Sequence, residues 1–254
     1  MARRARRKVR KQGVTLQTRA EPRASKAALI FEMQEAHALL LAALLVGVAL
    51  LLRIEGAEAG ELWGVSTPVW FWHTIGAAVA HQVYVWIAWR LQLHASLLTR
   101  WFGGHAFPVF AVLFALLGIS RVLFLFALAV ANRDTVPGDP MLLQVLALIL
   151  LIPAVYLFYS VARYFGFRRA FGIDHFDPRY RAVPLVRGGI FEYSPNGMYV
   201  FGFLLLWSVA LWYASVAALI AALFNHHYIW VHYWATERPD MQRIYGARAN
   251  GAVR

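Results

Sequence analysis

The stretch MYVFGFLLLWSVALWYASVAALIAALFNHHYIWVHYW, residues 198–234, decides the fold of this 254-residue chain. It contains no Asp, Glu, Lys or Arg. As one helix rising about 1.5 Å per residue it would reach about 55 Å, whereas the hydrocarbon core of a bilayer is about 30 Å thick. The stretch therefore predicts two membrane helices, 198–212 and 215–235, joined by a turn at Trp212–Ser215.

The composition of the whole chain agrees with a membrane protein. Apolar residues make up 60% of the sequence and charged residues 15%, which is typical of an integral membrane protein. Four further apolar segments precede the final block, at 27–52, 67–89, 106–131 and 141–164. We expect an all-α, polytopic bundle of about six spans, which forms a single transmembrane domain over residues 27–254.

Basic residues predict how this bundle sits in the membrane. Residues 1–26 carry ten Lys or Arg and one acidic residue, without hydrophobic periodicity, so they predict a disordered basic arm. Loop charges alternate along the chain, and the arm, the second and fourth loops and the carboxy-terminal tail are the basic ones. Because Lys and Arg near span ends stay in the cytoplasm, we expect both termini to be cytoplasmic, in a bacterial inner membrane.

Several chemistries are disfavoured by the residue types present. The chain has no cysteine, which excludes disulfides, thiolate nucleophiles and cysteine-ligated metal centres. Its nine histidines include His226, His227 and His232, but His227 and His232 lie about 140° apart around a helix and the others are scattered. We expect no metal site, and no nucleic acid as partner.

Two polar stretches flank the final apolar block. The first polar stretch is GGIFEYSPNGMYVFGF (188–203) and the second is NHHYIWVHYWATERPDMQRIYG (225–246). Because the block folds back, the two stretches are expected to meet on the cytoplasmic side. Along the second stretch a helical step of 100° places four polar residues on one stripe, namely Asn225, Tyr228, His232 and Thr236. That stripe either lines a pocket or bonds to neighbouring helices.

The first polar stretch resembles the sequence G-I-Y-x-Y-x-R-H-P-x-Y-x-G of integral membrane methyltransferases, which include isoprenylcysteine carboxyl methyltransferases and phosphatidylethanolamine N-methyltransferases. The second is similar to their carboxy-terminal region, in which a carboxylate, here Glu237, precedes a short helix ending in Phe/Tyr-Gly. The resemblance covers residues 187–246. Within it, Pro195-Asn196-Gly197 replaces the usual Arg-His-Pro, and Arg238 replaces a frequent second glutamate.

The resemblance implies S-adenosylmethionine as cofactor, bound between the first polar stretch, the last two helices and the carboxylate that follows them. Glycine backbone suits close approach of a ligand, and aromatic faces with a carboxylate suit a cationic sulfonium. The cofactor site is therefore assigned to Gly189, Tyr193, Asn196, Gly197, Met198, Tyr199, Gly202, Tyr228 and Glu237.

The acceptor side of the site is predicted from chemistry at membrane depth. An ammonium acceptor must lose a proton, and Glu237 or His232 is the candidate base, whereas a carboxylate acceptor needs none. Arg121 lies mid-span, where a charge is costly unless it faces a partner or a cavity. Together with His81 it is a candidate for contact with the substrate.

These features favour an enzyme of lipid metabolism, a methyltransferase that uses S-adenosylmethionine on a membrane-embedded acceptor. The acceptor is a phospholipid amine or an isoprenoid or other hydrophobic carboxylate, either of which makes a membrane lipid or hydrophobic small molecule the partner. Two alternatives remain. One is an NADPH-dependent sterol-type reductase, whose motif is similar, and the other is a non-enzymatic membrane scaffold or transporter.

Overall fold

A computed structural model of the protein describes residues 25–184 and 186–246, and helices form nearly all of it. The predicted arm falls largely outside the described residues. One two-stranded antiparallel hairpin, β1 (Glu61–Leu62) with β2 (Val65–Ser66), interrupts the helices. The α-helices in chain order are α1 (Lys26–Ile30), α2 (Gln34–Leu51), α3 (Thr67–Ala95), α4 (Leu97–Phe102), α5 (Ala106–Ala131), α6 (Pro140–Ser160), α7 (Phe167–Ala170), α8 (Gly197–Phe201), α9 (Leu204–Trp212), α10 (Val216–His232) and α11 (Arg238–Tyr245).

Two π-helical turns extend this framework. One, Val161–Phe165, continues α6, and the other, Tyr233–Glu237, joins α10 to α11. Short 3-10 turns fill the segment between α7 and α8, at Ile173–His175, Pro178–Ala182 and Gly189–Glu192. A π-turn inserts one extra residue into a helix and is frequent at functional sites.

In the part of the chain that the structure describes, three helical stretches are long and apolar enough to cross a membrane. They are Lys26–Leu51, Leu97–Ala131 and Pro140–Phe165, and Gly197–Trp212 is a shorter apolar stretch. These stretches support a membrane protein. The predicted spans at 106–131 and 141–164 correspond closely to α5 and α6, and α9 meets α10 across Tyr213–Ser215, where the sequence predicts a turn.

The first predicted span is not one continuous helix. It breaks between α1 and α2, where Met33 adopts a left-handed conformation with φ 64°. Two carbonyl groups at the end of α1 find donors on α3, because Trp86 Nε1 donates to Ile30 O at 3.0 Å and an Arg90 nitrogen donates to Leu29 O at 2.6 Å. The break is tolerated because these side chains satisfy the backbone groups that it frees.

The second predicted span is longer than expected. The predicted span 67–89 would put Arg90 in the loop that follows, but α3 continues through Arg90 to Ala95 and ends at Ser96 in the left-handed conformation. The helix continues because Arg90 is neutralised and fully buried against other helices, so its charge does not require a solvated loop.

Helix α10 lies at the centre of the bundle, in contact with α2, α3, α5 and α9. Small side chains on α10 are fully buried, among them Ala217, Ala218, Ala221 and Ala222. Small residues let helix backbones approach closely. This central position makes α10 the element that carries polar groups into the interior.

Candidate functional site

The polar stripe predicted on α10 and its π-turn lies inside the protein. Asn225, Tyr228, His232 and Thr236 are all buried. Three of them bond to neighbouring helices: Asn225 Oδ1 accepts from Arg121 of α5, the Tyr228 hydroxyl is 3.1 Å from His37 Nε2 of α2, and Thr236 Oγ1 accepts from Gln34 Nε2 of α2 at 3.2 Å. For these three the structure favours helix pairing over the lining of a pocket.

His232 differs from the rest of the stripe. It is 2% exposed, and within residues 25–184 and 186–246 neither of its ring nitrogens has a hydrogen-bond partner. Its nearest aromatic neighbours are His37, with ring centroids 6.2 Å apart, and Trp89, at 6.1 Å. A buried polar group without a partner costs free energy, so the burial of His232 destabilises the fold.

Tyr199 and Glu237 join the two polar stretches. The Tyr199 hydroxyl of α8 donates a hydrogen bond to a carboxyl oxygen of Glu237, at the end of the π-turn. The Tyr199 ring lies 5.7 Å from Trp230 and 5.4 Å from Tyr233, centroid to centroid. One carboxyl group and three aromatic rings therefore meet at the end of α10, which is a set of groups that favours a cation.

Burial controls the charge of this carboxyl group. It raises the pKa of Glu237 from 4.5 to about 8, and the nearby positive charge of His175 only partly opposes the shift. The carboxyl group is therefore mostly protonated at neutral pH. A cation placed beside it would favour ionisation, so binding of a cation and loss of a proton are coupled at this position.

Beside Glu237, a buried ion pair connects α3 to α11. Arg90 and Asp240 are both 0% exposed, and Arg90 Nε lies 2.7 Å from Asp240 Oδ1. The same guanidinium donates to the carbonyl oxygens of Ala235 and Thr236 at 3.3 and 3.2 Å, in the π-turn that precedes Glu237. Arg90 thereby holds the π-turn and α11 in fixed positions relative to α3.

His175 extends this ion pair into the segment between α7 and α8. Its Nδ1 lies 3.1 Å from Asp174 Oδ1 and its Nε2 lies 3.5 Å from Asp240 Oδ2, and its ring stacks on Trp89 at 4.2 Å. Burial lowers the pKa of His175, but the bonds to Asp174 and Asp240 outweigh burial and raise it to about 9. His175 is therefore a cation at neutral pH.

The whole cluster is balanced in charge. Glu32 pairs with Arg90 and Arg243, and the Tyr245 hydroxyl donates to Asp174 Oδ2 at 2.8 Å. Three cations, Arg90, Arg243 and His175, thus face the carboxylates of Glu32, Asp174 and Asp240. We call these six residues the charge cluster.

A second site lies between α5 and α6, which both pack against α9. A cleft of about 260 Å³ is lined by apolar side chains of α5 to α9 and by Arg121. Met198 and Gly202, both predicted cofactor residues, belong to its wall. His81 lies behind Arg121, with its Nδ1 3.2 Å from a guanidinium nitrogen. We call this space the Arg121 cleft.

Residues 142–248 match the phospholipid methyltransferase family. No curated protein and no solved structure matches the chain. The match confirms the resemblance to integral membrane methyltransferases and extends it from residue 187 back to residue 142. We call residues 142–248 the methyltransferase segment, and it indicates a membrane methyltransferase.

The methyltransferase segment contains Tyr199, Glu237, His175 and Asp240, together with most of the wall of the Arg121 cleft. Arg90, His81 and Arg121 lie before it. The rest of the chain thus supplies a cation to each of the two sites, Arg90 beside Glu237 and Arg121 in the cleft.

The predicted glycines of the methyltransferase segment approach the protein's own side chains. Gly189 has φ +66°, and a Cβ there would lie 2.6 Å from Ser160 Oγ. A Cβ at Gly197 would lie 3.3 Å from Ile190. Both glycines therefore permit close packing of the chain on itself, whereas Gly202 lies in the wall of the cleft.

The other predicted cofactor residues do not all converge. Tyr193 is 79% exposed, Asn196 precedes α8 without a capping bond from its side chain, and Tyr228 points to His37. Within the described residues, Tyr199 is the one among them that hydrogen-bonds to Glu237.

Sequence reasoning did not single out Arg90, Asp240, Asp174 or His175 as site residues. One signal was present, because no Pro or Gly stands between Gly76 and Ala95, so a longer α3 carrying Arg90 inside was readable. The pairing with Asp240 was not, because 150 residues separate the two in sequence.

Proposed function

We propose that the protein is an S-adenosylmethionine-dependent methyltransferase that acts on an amphiphilic acceptor in the membrane. The observation that carries the proposal is the bond between Tyr199 and Glu237, which unites the two polar stretches inside the methyltransferase segment. Methyl transfer requires alignment in a dry site more than a strong acid or base, and the partly buried aromatic side chains around Glu237 suit that requirement.

The groups around Glu237 fit such a cofactor by their chemistry. When bound, S-adenosylmethionine supplies a methyl group on a positively charged sulfur, and it also carries an amino group. Tyr199, Trp230 and Tyr233 offer aromatic faces to a cation, and Glu237 offers a carboxylate once it is ionised. Asn196, Met198 and the backbone of Gly202 lie on the same helical segment as Tyr199 and complete the proposed cofactor wall.

For an ammonium acceptor, the proton is taken by Glu237 or His232. His232 is available because its ring nitrogens bond to no described group, and Glu237 is available because its pKa of about 8 lies near the working pH. A carboxylate acceptor would need neither residue as a base. The acceptor enters sideways from the bilayer, with Arg121 and His81 at the inner end of its path.

Titration of the protein in lipid nanodiscs tests this assignment. S-adenosylmethionine is expected to bind and NADPH is not. Glu237→Gln is expected to weaken cofactor binding about tenfold or more, because a hydrogen bond to a charged group contributes about 1.5–3 kcal/mol. Glu192→Gln is the matched control, since Glu192 is an exposed glutamate of the first polar stretch, and it should leave the affinity unchanged.

The pH dependence of the same titration isolates Glu237. The wild-type affinity should rise as pH increases through about 8, because the cation binds the ionised carboxylate. Any slope that remains in Glu237→Gln belongs to the cofactor's own amine or to His175, whose pKa is about 9. Binding of NADPH alone would reject the methyltransferase proposal in favour of a reductase, and full affinity in Glu237→Gln would reject only the role of Glu237.

We also propose that the chain crosses the membrane six times as one domain, with α9 and α10 as a membrane hairpin and both termini in the cytoplasm of a bacterial cell. Single cysteines are informative because the chain has none. In intact spheroplasts, an impermeant maleimide should label Glu58→Cys and spare Arg100→Cys, both at exposed positions. The reverse pattern would invert the topology.

A further inference from the structure

Arg121 is a buried cation whose partners are neutral. It lies inside α5 and is 7% exposed. Its Nε and one terminal nitrogen donate to Asn225 Oδ1 at 3.1 and 2.8 Å, and the other terminal nitrogen lies 3.2 Å from His81 Nδ1. Because a guanidinium can only donate, His81 accepts through Nδ1 and is therefore the neutral imidazole with its proton on Nε2. Neither partner brings a negative charge.

The contrast with Arg90 shows what is missing at Arg121. Both arginines are buried in long helices of the bundle, and Arg90 has Asp240 at 2.7 Å. Over residues 25–184 and 186–246, no carboxylate forms an ion pair with Arg121. Charges at membrane depth pair with an opposite charge or face a cavity on a substrate path. Arg121 lines a cavity, the Arg121 cleft.

The cleft opens on the apolar outer surface of the bundle. Its two sides, α5 and α6, belong to two of the stretches that are apolar enough to cross a membrane. Phe158 and Phe167 line the cleft and are 49% and 52% exposed, so they mark its mouth. At the inner wall the Arg121 guanidinium lies 5.2 Å from the centre of the Phe203 ring. The cleft therefore leads from a hydrocarbon surface to one positive charge.

We propose that the Arg121 cleft binds an amphiphile with one hydrocarbon chain and one anionic group, a carboxylate or a phosphate, and that the anion sits on Arg121. The planar guanidinium matches both anions with paired hydrogen bonds. The cleft of about 260 Å³ is open at its mouth, so it would hold the anionic group and part of one chain, while the rest of the chain extends out through the mouth. The identification of this molecule with the methyl acceptor rests on the proposed function, whereas the binding site does not.

Equilibrium binding in phosphatidylcholine nanodiscs without S-adenosylmethionine tests the site. The probes share a 16-carbon chain: palmitate, palmitoyl lysophosphatidate and hexadecanol, at a pH high enough to ionise the carboxylate. We expect at least one of the two anions to bind one molecule per protein, at least tenfold more tightly than the alcohol. Tighter palmitate would identify a carboxylate as the natural group, and tighter lysophosphatidate a phosphate.

Variants test whether the preference for anionic probes arises in the Arg121 cleft. Arg121→Gln should remove the preference for anions over hexadecanol, while Arg100→Gln, which removes an exposed arginine of α4, should keep it. Gly118→Leu is a second variant that tests the same site if Arg121→Gln does not fold. A Cβ at Gly118 meets only His81 Cε1 at 3.5 Å, an ordinary contact, and the larger side chain would fill the cleft and weaken binding of all three probes.

Two results would overturn the proposal: equal affinity for anions and alcohol in the wild type, or an unchanged anion preference in Arg121→Gln. Since the measurement omits S-adenosylmethionine, its outcome is separate from that of methyl transfer. Anion binding without cofactor binding would reject the proposed function and support this site. Cofactor binding without anion preference would support the proposed function and reject this site.

Discussion

Asp240→Asn is expected to lower the free energy of unfolding by about 3–5 kcal/mol, which is the usual cost of leaving a buried charge without its partner. Asp240 is the one carboxylate of the charge cluster that contacts both Arg90 and His175, and all three side chains are 0% exposed. Removal of its charge would leave Arg90 with Glu32 alone, at 3.7 Å instead of 2.7 Å, and His175 with Asp174 alone. Thermal or denaturant unfolding of the protein in detergent micelles measures the effect.

Asp134→Asn is the matched control for this experiment. Asp134 is an exposed aspartate whose pair with Arg133 spans 4.0 Å, with both side chains at least 70% exposed, and asparagine tolerates its left-handed conformation. Its replacement should change stability by no more than about 0.5 kcal/mol. If Asp240→Asn cost as little as the control, the charge cluster would not stabilise the fold.

Stability should also fall by about 3 kcal/mol as pH rises from about 6.5 to about 9. His175 has a pKa of about 9 in the folded protein against 6.5 ordinarily, so the folded state holds its proton more tightly than the unfolded state does. The stabilisation is complete below pH 6.5 and is lost as pH rises through the folded pKa, at about 1.4 kcal/mol per pH unit. Melting temperature followed against pH measures it.

Glu237 also makes the folded protein less stable as pH rises, but over a lower pH range, because its pKa rises from 4.5 to about 8 on folding. The comparison is therefore made in a Glu237→Gln background, where His175→Gln should flatten the curve between pH 6.5 and 9. His227→Gln, at an exposed position of α10, should keep the slope. A slope that survives in His175→Gln would show that another group titrates there.

The charge cluster supports function because it fixes the position of Glu237. Arg90 bonds the carbonyls of Ala235 and Thr236, the two residues before Glu237, and it pairs with Asp240, three residues after Glu237. Glu237 is thereby fixed from both sides, which supports a site that must hold a cofactor within a fraction of an ångström. Loss of Asp240 should therefore reduce cofactor affinity as well as stability.

Local pattern was sufficient for much of the fold. The predicted segment 106–131 corresponds to α5, and helical periodicity correctly put Asn225, Tyr228, His232 and Thr236 on the buried side. Hydropathy and the 3.6-residue period depend only on neighbours in sequence, so they could be read without knowledge of packing. The break at Met33 and the continuation of α3 past Arg90 were missed, because each depends on a bond to another helix.

The sequence by itself determined that the protein is helical, that it belongs to the membrane, and that residues 187–246 resemble membrane methyltransferases. Only the tertiary structure decided which buried charges are neutralised. Arg90 and Arg121 both interrupt apolar helices, yet α11 brings Asp240 to the first, while the hydrogen-bond partners of the second among the described residues are the neutral His81 of α3 and Asn225 of α10. Ion pairing falls off with the distance between groups in space, and that distance is set by which helices meet, which no local pattern records.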